Sequence, residues 1–116
     1  YRERLHLADL YLDTYPSNAG STARDVMDAH LPMVTLSGRT SVSRMAGSML
    51  TAAGLTELVT DNLEQYEATI STLAQQPRQL QRLKQALTDG APQWADAPSR
   101  LIHSLESELL RRLDAL

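Results

Sequence analysis

Residues 10–25 read LYLDTYPSNAGSTARD: a short apolar run, a loop of small residues, then the hydroxyl-bearing start of an amphipathic helix. Leu10, Tyr11 and Leu12 suit a buried strand, and Pro16 ends it. Asn18, Ala19 and Gly20 allow backbone to approach a ligand closely where the helix begins. Free amides and the positive end of a helix dipole there favour an anion. The layout is that of a phosphate-binding strand-loop-helix. The loop is neither GxGxxG nor a GxxxxGK sequence followed by Ser or Thr, and an ordinary helix N-cap after a strand explains the same residues equally well.

Working outward, Ser21 or Thr22 is expected to cap a helix to about His30 that buries Ala23, Val26, Met27 and Leu31, with Pro32 as its stop. Residues 33–36 form a second apolar strand, and Ser37-Gly38-Arg39-Thr40 a second tight strand-to-helix loop. Ser41 is expected to cap a helix carrying Val42, Met45, Ala46, Met49, Leu50 and Ala53 at helical spacing, closed by Gly54. Leu58 and Val59 suit a short third strand. Asp61 with Glu64 makes a capping-box variant ahead of Leu63, Tyr66, Ile70 and Leu73. Gln76-Pro77 restarts the chain as a helix edged by Leu80, Leu83 and Leu87, which Gly90 and Pro92 close. A loop containing Trp94 then leads to a last helix from about Pro98, with Ile102, Leu105, Leu109 and Leu113 on a face that needs a packing partner.

Strands alternating with helices predict an α/β fold with a parallel sheet and helices on both faces. Ligands of such sheets bind beyond the carboxyl ends of the strands, which puts the loop at 14–22 and the Gly38 loop on one edge. Three short strands are few for a doubly wound domain, so the rest of the sheet is expected outside this chain.

The 116 residues are 42% hydrophobic and 22% charged, enough for one globular domain or much of one. A formal charge of -3 argues against nucleic acid as a partner. Cysteine is absent, which removes disulfides, thiolate metal sites and cysteine nucleophiles, and is compatible with a cytoplasmic location. His6, His30 and His103 are scattered, so no metal site is expected. No apolar run approaches the roughly 20 residues that span a bilayer, and no leader opens the chain, so no membrane partner is expected. The start at Tyr1 without a methionine marks an expected piece of a longer protein.

Leu12-Asp13-Thr14, Asn18-Ala19-Gly20-Ser21-Thr22, Asp25, Leu31-Pro32, Gly38, Ser43-Arg44 and Gly54 follow one another in a pattern that covers roughly residues 4–75. That pattern resembles the C-terminal catalytic region of the O-GlcNAc-transferase-like glycosyltransferases, many of which carry tetratricopeptide repeats upstream. The resemblance implies a two-lobed GT-B fold in which this chain is the later half of the second, Rossmann-like lobe: residues 1–75 bind the UDP-sugar, and residues 76–116 are a helical extension packing on the catalytic lobes.

Carried over, Ser21 and Thr22 sit at the diphosphate with Gly20 letting the loop close, and Asp25 accepts hydrogen bonds from ribose hydroxyls. Arg4 stands where the family has an arginine near the uracil, and Tyr1 where some relatives have a histidine. The family's catalytic lysine and histidine lie upstream, so no catalytic residue is expected in this fragment, and alone it is expected to be inactive. The activity implied is inverting, metal-independent transfer of N-acetylglucosamine to Ser or Thr of a protein acceptor, with no cofactor. Asparagine glucosylation by the wider family, a noncatalytic interaction module and a receiver-like signalling domain are the alternatives. Many relatives read Trp-Ala-Gly where this chain has Asp28-Ala29-His30, so packing there is expected to differ.

Overall fold

Three parallel strands, β1 (Tyr11–Leu12), β2 (Met33–Leu36) and β3 (Val59–Thr60), lie side by side in chain order in the computed structural model. It describes the backbone of residues 1–95 and 97–116, and side chains throughout these except Arg2 and residues 92–100. Tyr11 is opposite Met33, and Thr35 is opposite Val59. All four residues of β2 are buried. Because successive strand side chains point to opposite faces, both faces of the sheet are covered there.

The covering helices are α2 (Ser21–Asp28), α3 (Met45–Ala52), α4 (Leu63–Ala74) and α5 (Pro77–Ala95), preceded by the single turn α1 (Arg2–Leu5). Their apolar stripes meet the strands in one core: Val26, Leu31, Met33, Val34, Leu50 and Leu58 are sealed from solvent, with Leu73 from α4 and Leu83 and Leu87 from α5. α3 comes close over the sheet at Gly47, where an added Cβ would stand 2.6 Å from Ser37 Oγ and 3.3 Å from Val59. Glycine is required there by contact.

Several boundaries differ from the sequence expectation. The helix expected from Ser41 is broken into a 3-10 turn, Ser41–Ser43, capped by Thr40 rather than Ser41, and α3 proper. Leu58 closes a second 3-10 turn, so β3 begins at Val59. α4 is capped one residue late: Asn62 accepts from the Gln65 amide at 2.8 Å, while Gln65 Oε1 accepts from the Asp61 amide at 3.1 Å. α5 runs through Gly90 and Pro92, so the backbone around Trp94 is helical rather than a loop. Glycine ends a helix by taking positive φ; Gly54 does so at +77°, and Gly90 is absent from the positive-φ glycines.

The last helix, α6 (Ala97–Asp114), carries that apolar face, and among the described residues it is left largely uncovered. Leu101, Ile102, Leu105, Leu109, Leu110 and Leu113 are each 54 to 63% exposed. A contiguous apolar face of that extent is unusual on a monomer, and β1 and β3 add unpaired edges. Residues 1–116 expressed alone are therefore expected to aggregate or pack loosely. A sharp, cooperative thermal transition from a monomer would contradict this.

Candidate ligand site at the carboxyl edge of the sheet

Asp13, the first residue beyond β1, organises the loop that follows. It is buried, and its Oδ1 accepts from the amides of Thr14 and Ala19, both at 2.9 Å. Its Oδ2 accepts from Thr35 Oγ1 on the neighbouring strand at 2.7 Å. Asn18 pins the same loop from the other side: Nδ2 donates to the Thr14 carbonyl, and its amide donates to the Val42 carbonyl, each at 2.9 Å. One buried carboxylate thus fixes a six-residue excursion, including the cis bond at Tyr15-Pro16, between strand and helix.

The consequence appears at the start of α2. With the Ala19 amide held by Asp13, the N-cap position falls on Gly20, which has no side chain to cap with, and no side-chain cap bond is formed. Ser21 and Thr22, expected as caps, are instead the first two helical residues. A helix end of this kind leaves first-turn amides for an external anion, with the hydroxyls of Ser21 and Thr22 beside them. Gly20 is also sterically tight, since an added Cβ would stand 3.2 Å from Met45 Cε.

The second loop turns beside the first. Thr40 and Ser43 cap each other reciprocally, Gly38 N donates to the Ser43 carbonyl at 3.0 Å, and Arg44 Nη1 donates to the Gly38 carbonyl at 2.9 Å. Tyr15 reaches across from the first loop, with its ring 3.1 Å from where a Gly38 Cβ would lie. Both expected loops therefore meet on one edge, and Arg44 is a loop anchor.

Asp25 lies one turn into α2, partly buried, in a hollow of about 170 Å³ lined with Leu5, His6, Asp28 and Ala29. Gly20, Ser21, Thr22 and Asp25 are thereby gathered on the first turn and a half of one helix. Arg4 belongs to α1, which borders this hollow, and Tyr1 is that helix's N-cap, but both are exposed and neither is among the residues lining it. The role of Asp13 as the loop's organiser has no local signal in the sequence, since its bonds to Ala19 and Thr35 span 6 and 22 residues. Among the described residues no group of three or more His, Asp or Glu side chains could hold a metal ion. No helix among them is long and apolar enough to cross a membrane.

Tyr66 ties α4 to this loop through its hydroxyl, which donates to the Asp13 carbonyl at 2.8 Å. Burial, then the nearby Asp13 carboxylate, push the Tyr66 phenol above its ordinary value, and Tyr11 is raised for the same two reasons. A phenol whose folded value is raised contributes stability that is present below the unfolded value, about 10, and lost as pH climbs through the folded one. The urea midpoint is thus expected to fall above about pH 10, and Tyr66→Phe to flatten that fall while costing about 1 kcal/mol at neutral pH. An unaltered alkaline slope in Tyr66→Phe would remove the link.

At the far end of α2, His30 has φ of +56°, the left-handed conformation that glycine adopts freely, and its Nδ1 lies 3.2 Å from Thr88 Oγ1 on α5. Asp28, in the stretch where packing is expected to differ from relatives, pairs with Arg24 on the surface. In a Thr88→Val background, His30→Gly is expected to stabilise by about 0.5–1 kcal/mol, relief of left-handed strain less the entropy of glycine. With Thr88 intact the gain should shrink by the value of the hydrogen bond, a difference that a double-mutant cycle of urea midpoints reads.

A parallel sheet whose strand-to-helix loops gather at one edge, beside an uncapped helix start, defines an α/β domain of the class that takes ligands beyond the carboxyl ends of its strands. The chain belongs to glycosyl transferase family 41, whose sequence pattern matches residues 1–92. It is 39% identical over 82 residues to the probable UDP-N-acetylglucosamine–peptide N-acetylglucosaminyltransferase SEC of Arabidopsis thaliana, covering 70% of this chain and 8% of that protein. It is 31% identical over 83 residues to SPINDLY of the same plant, another probable enzyme of that name, covering 72% and 9%. With the corresponding Caenorhabditis elegans transferase it shares 40% identity over 63 residues, covering 54% and 6%. The chain spans less than a tenth of the length of these curated relatives. Among solved structures, a mutant O-GlcNAc transferase of Thermobaculum terrenum superposes with a TM-score of 0.72 at 31% identity, over 76% of this chain and 18% of that one.

Proposed function

We propose that this chain is the donor-binding portion of the second lobe of an inverting, metal-independent protein glycosyltransferase, which adds N-acetylglucosamine from a UDP-sugar to Ser or Thr of a protein acceptor. The observation that carries the proposal is the start of α2: a helix opening without a side-chain cap at Gly20, hydroxyls at Ser21 and Thr22, and a carboxylate one turn on at Asp25 in a hollow. Diphosphate oxygens meet the amides and hydroxyls, and Asp25 accepts from the ribose. Arg4 on α1 and Tyr1 at its N-cap, both exposed, close over the uracil. The names of the relatives in Arabidopsis and Caenorhabditis support N-acetylglucosamine and peptide acceptors.

The groups that act on the leaving diphosphate and the acceptor belong to the upstream part of the full-length protein, beyond which tetratricopeptide repeats and a cytoplasmic location are proposed. Residues 76–116 are proposed to pack on the catalytic lobes, which gives the apolar face of α6 its cover. Calorimetric titration of the full-length protein with UDP tests the site. Saturable binding at micromolar strength is expected; absence of saturable heat would leave a noncatalytic module that kept the fold. Peptide transfer assays with UDP-N-acetylglucosamine against UDP-glucose then separate transfer to Ser or Thr from asparagine glucosylation.

A further inference from the structure

The two loops at the carboxyl edge run side by side in the same direction and touch at three successive points. Tyr15 lies on Gly38, with a ring carbon 3.1 Å from where a Cβ would stand. The Asn18 amide donates to the Val42 carbonyl at 2.9 Å, and Met45 Cε is 3.2 Å from the Cβ position of Gly20. The seam so formed ends at Gly20, the N-cap of α2. The large side chains along it are apolar and face solvent: Tyr15 is 56% exposed, Val42 50% and Met45 40%. None of the three belongs to the hydrophobic core or to the side chains packed against it. Arg39, next to Gly38 at the far end, is exposed and forms no ion pair with another described residue.

Apolar side chains scattered singly over a surface need no explanation, whereas three gathered along one seam beside a ligand site mark a contact surface. Transfer to a protein fixes what that surface meets. The hexose hangs from the diphosphate at the start of α2, and the acceptor hydroxyl must reach its anomeric carbon, so the polypeptide flanking that hydroxyl passes beside Gly20, where the seam begins. Ribose belongs to the hollow at Asp25, and none of the residues lining that hollow is part of the seam. Three large side chains and a guanidinium spread over two loops exceed what one sugar ring covers and suit an extended peptide. The free guanidinium adds a charge that only an anionic group on the occupant can match.

We propose that this seam is an acceptor-docking surface: apolar residues next to the modified Ser or Thr pack on Met45, Val42 and Tyr15, and a carboxylate further along the same peptide pairs with Arg39. The inference rests on the proposed UDP-sugar function and states which acceptors that site takes. It gives the second loop a role in acceptor choice, separate from the nucleotide contacts of Ser21, Thr22 and Asp25.

The test is steady-state transfer by the full-length protein from UDP-N-acetylglucosamine to synthetic peptides with a single Ser, flanked by Val and Leu with a distal Asp, or by Gly alone, with calorimetry of UDP alongside. Saturable UDP binding by the wild type comes first, since its failure would remove the UDP-sugar reading itself; UDP binding with transfer to neither peptide would overturn the docking surface alone. Wild type is expected to show the lower KM for the apolar peptide. Val42→Ser and Met45→Gln should each raise that KM roughly three- to tenfold, the value of one lost apolar contact, and leave UDP affinity and the KM of the glycine peptide near wild type. Arg39→Gln should erase the advantage of the distal Asp over Asn in its place, and Leu7→Ser, an exposed apolar residue away from the seam, should behave as wild type does. An unchanged KM for the apolar peptide in both Val42→Ser and Met45→Gln would overturn the assignment. So would a raised KM for UDP-N-acetylglucosamine at unchanged UDP affinity, which would give the seam to the donor hexose. A lower thermal midpoint with every KM unchanged would give it to the upstream lobe and overturn the assignment equally. Because the peptides are compared within one variant, a general loss of folding cannot imitate the expected pattern.

Discussion

Asp13→Ala is expected to destabilise the domain by about 3–5 kcal/mol, because it removes the shared acceptor of three buried or half-buried donors at once. The Thr14 and Ala19 amides and the Thr35 hydroxyl would each lose their partner. A buried donor left unmatched costs about 1–3 kcal/mol, and water entering the opened loop would return part of it. Thr35→Val separates the strand-to-strand part of this network from the loop part. It leaves one unmatched group, the Asp13 Oδ2 acceptor, where Asp13→Ala leaves three, so its cost should be below that of Asp13→Ala. The damage should also reach the ligand site, since the Ala19 amide held by Asp13 is what sets Gly20 at the cap of α2. Urea unfolding of the two variants, read alongside UDP binding, measures both consequences. An Asp13→Ala protein within about 1 kcal/mol of wild type would mean that the loop is held mainly by Asn18.

That network marks the boundary of what the sequence reveals. The strands, the α2 core face and the meeting of two loops at one edge were legible because apolar periodicity and Gly/Pro punctuation are local signals. The partner of Asp13 is Thr35, 22 residues away, and nothing local announces such a bond. Without it, Ser21 and Thr22 look like caps; with it, the cap moves to Gly20. The start of α4 failed differently: Asp61 with Glu64 and Asn62 with Gln65 offer the same motif in adjacent registers, and the side chains of Asn62 and Gln65 take the bonds. Gly90 predicts a stop because the sequence shows the residue and not its φ, and α5 runs on through it. The gathering of Ser21, Thr22 and Asp25 follows from helix geometry alone, whereas the approach of His6 to Asp25 depends on the turn after α1, whose sequence carries no distinctive signal.

Asp25→Asn in the full-length protein is expected to weaken use of the UDP-sugar by roughly 1.5–3 kcal/mol, about ten- to 150-fold, the range for hydrogen bonds to a charged group. The argument is one of donors and acceptors. A carboxylate can accept from two vicinal hydroxyls through its two oxygens; an amide of the same shape has one oxygen and must turn an NH2 towards the other hydroxyl. Asp28, the other carboxylate lining the hollow, is paired with Arg24, and Leu5 and Ala29 present only methyl groups. Because the loss falls on donor binding in both ground and transition states, KM for the UDP-sugar should rise more than kcat falls. Shape is preserved, so the thermal midpoint should move little. Unchanged donor affinity and turnover at normal stability would reduce Asp25 to a carboxylate that serves the helix dipole, and the hollow beside it would lose its claim to the ribose.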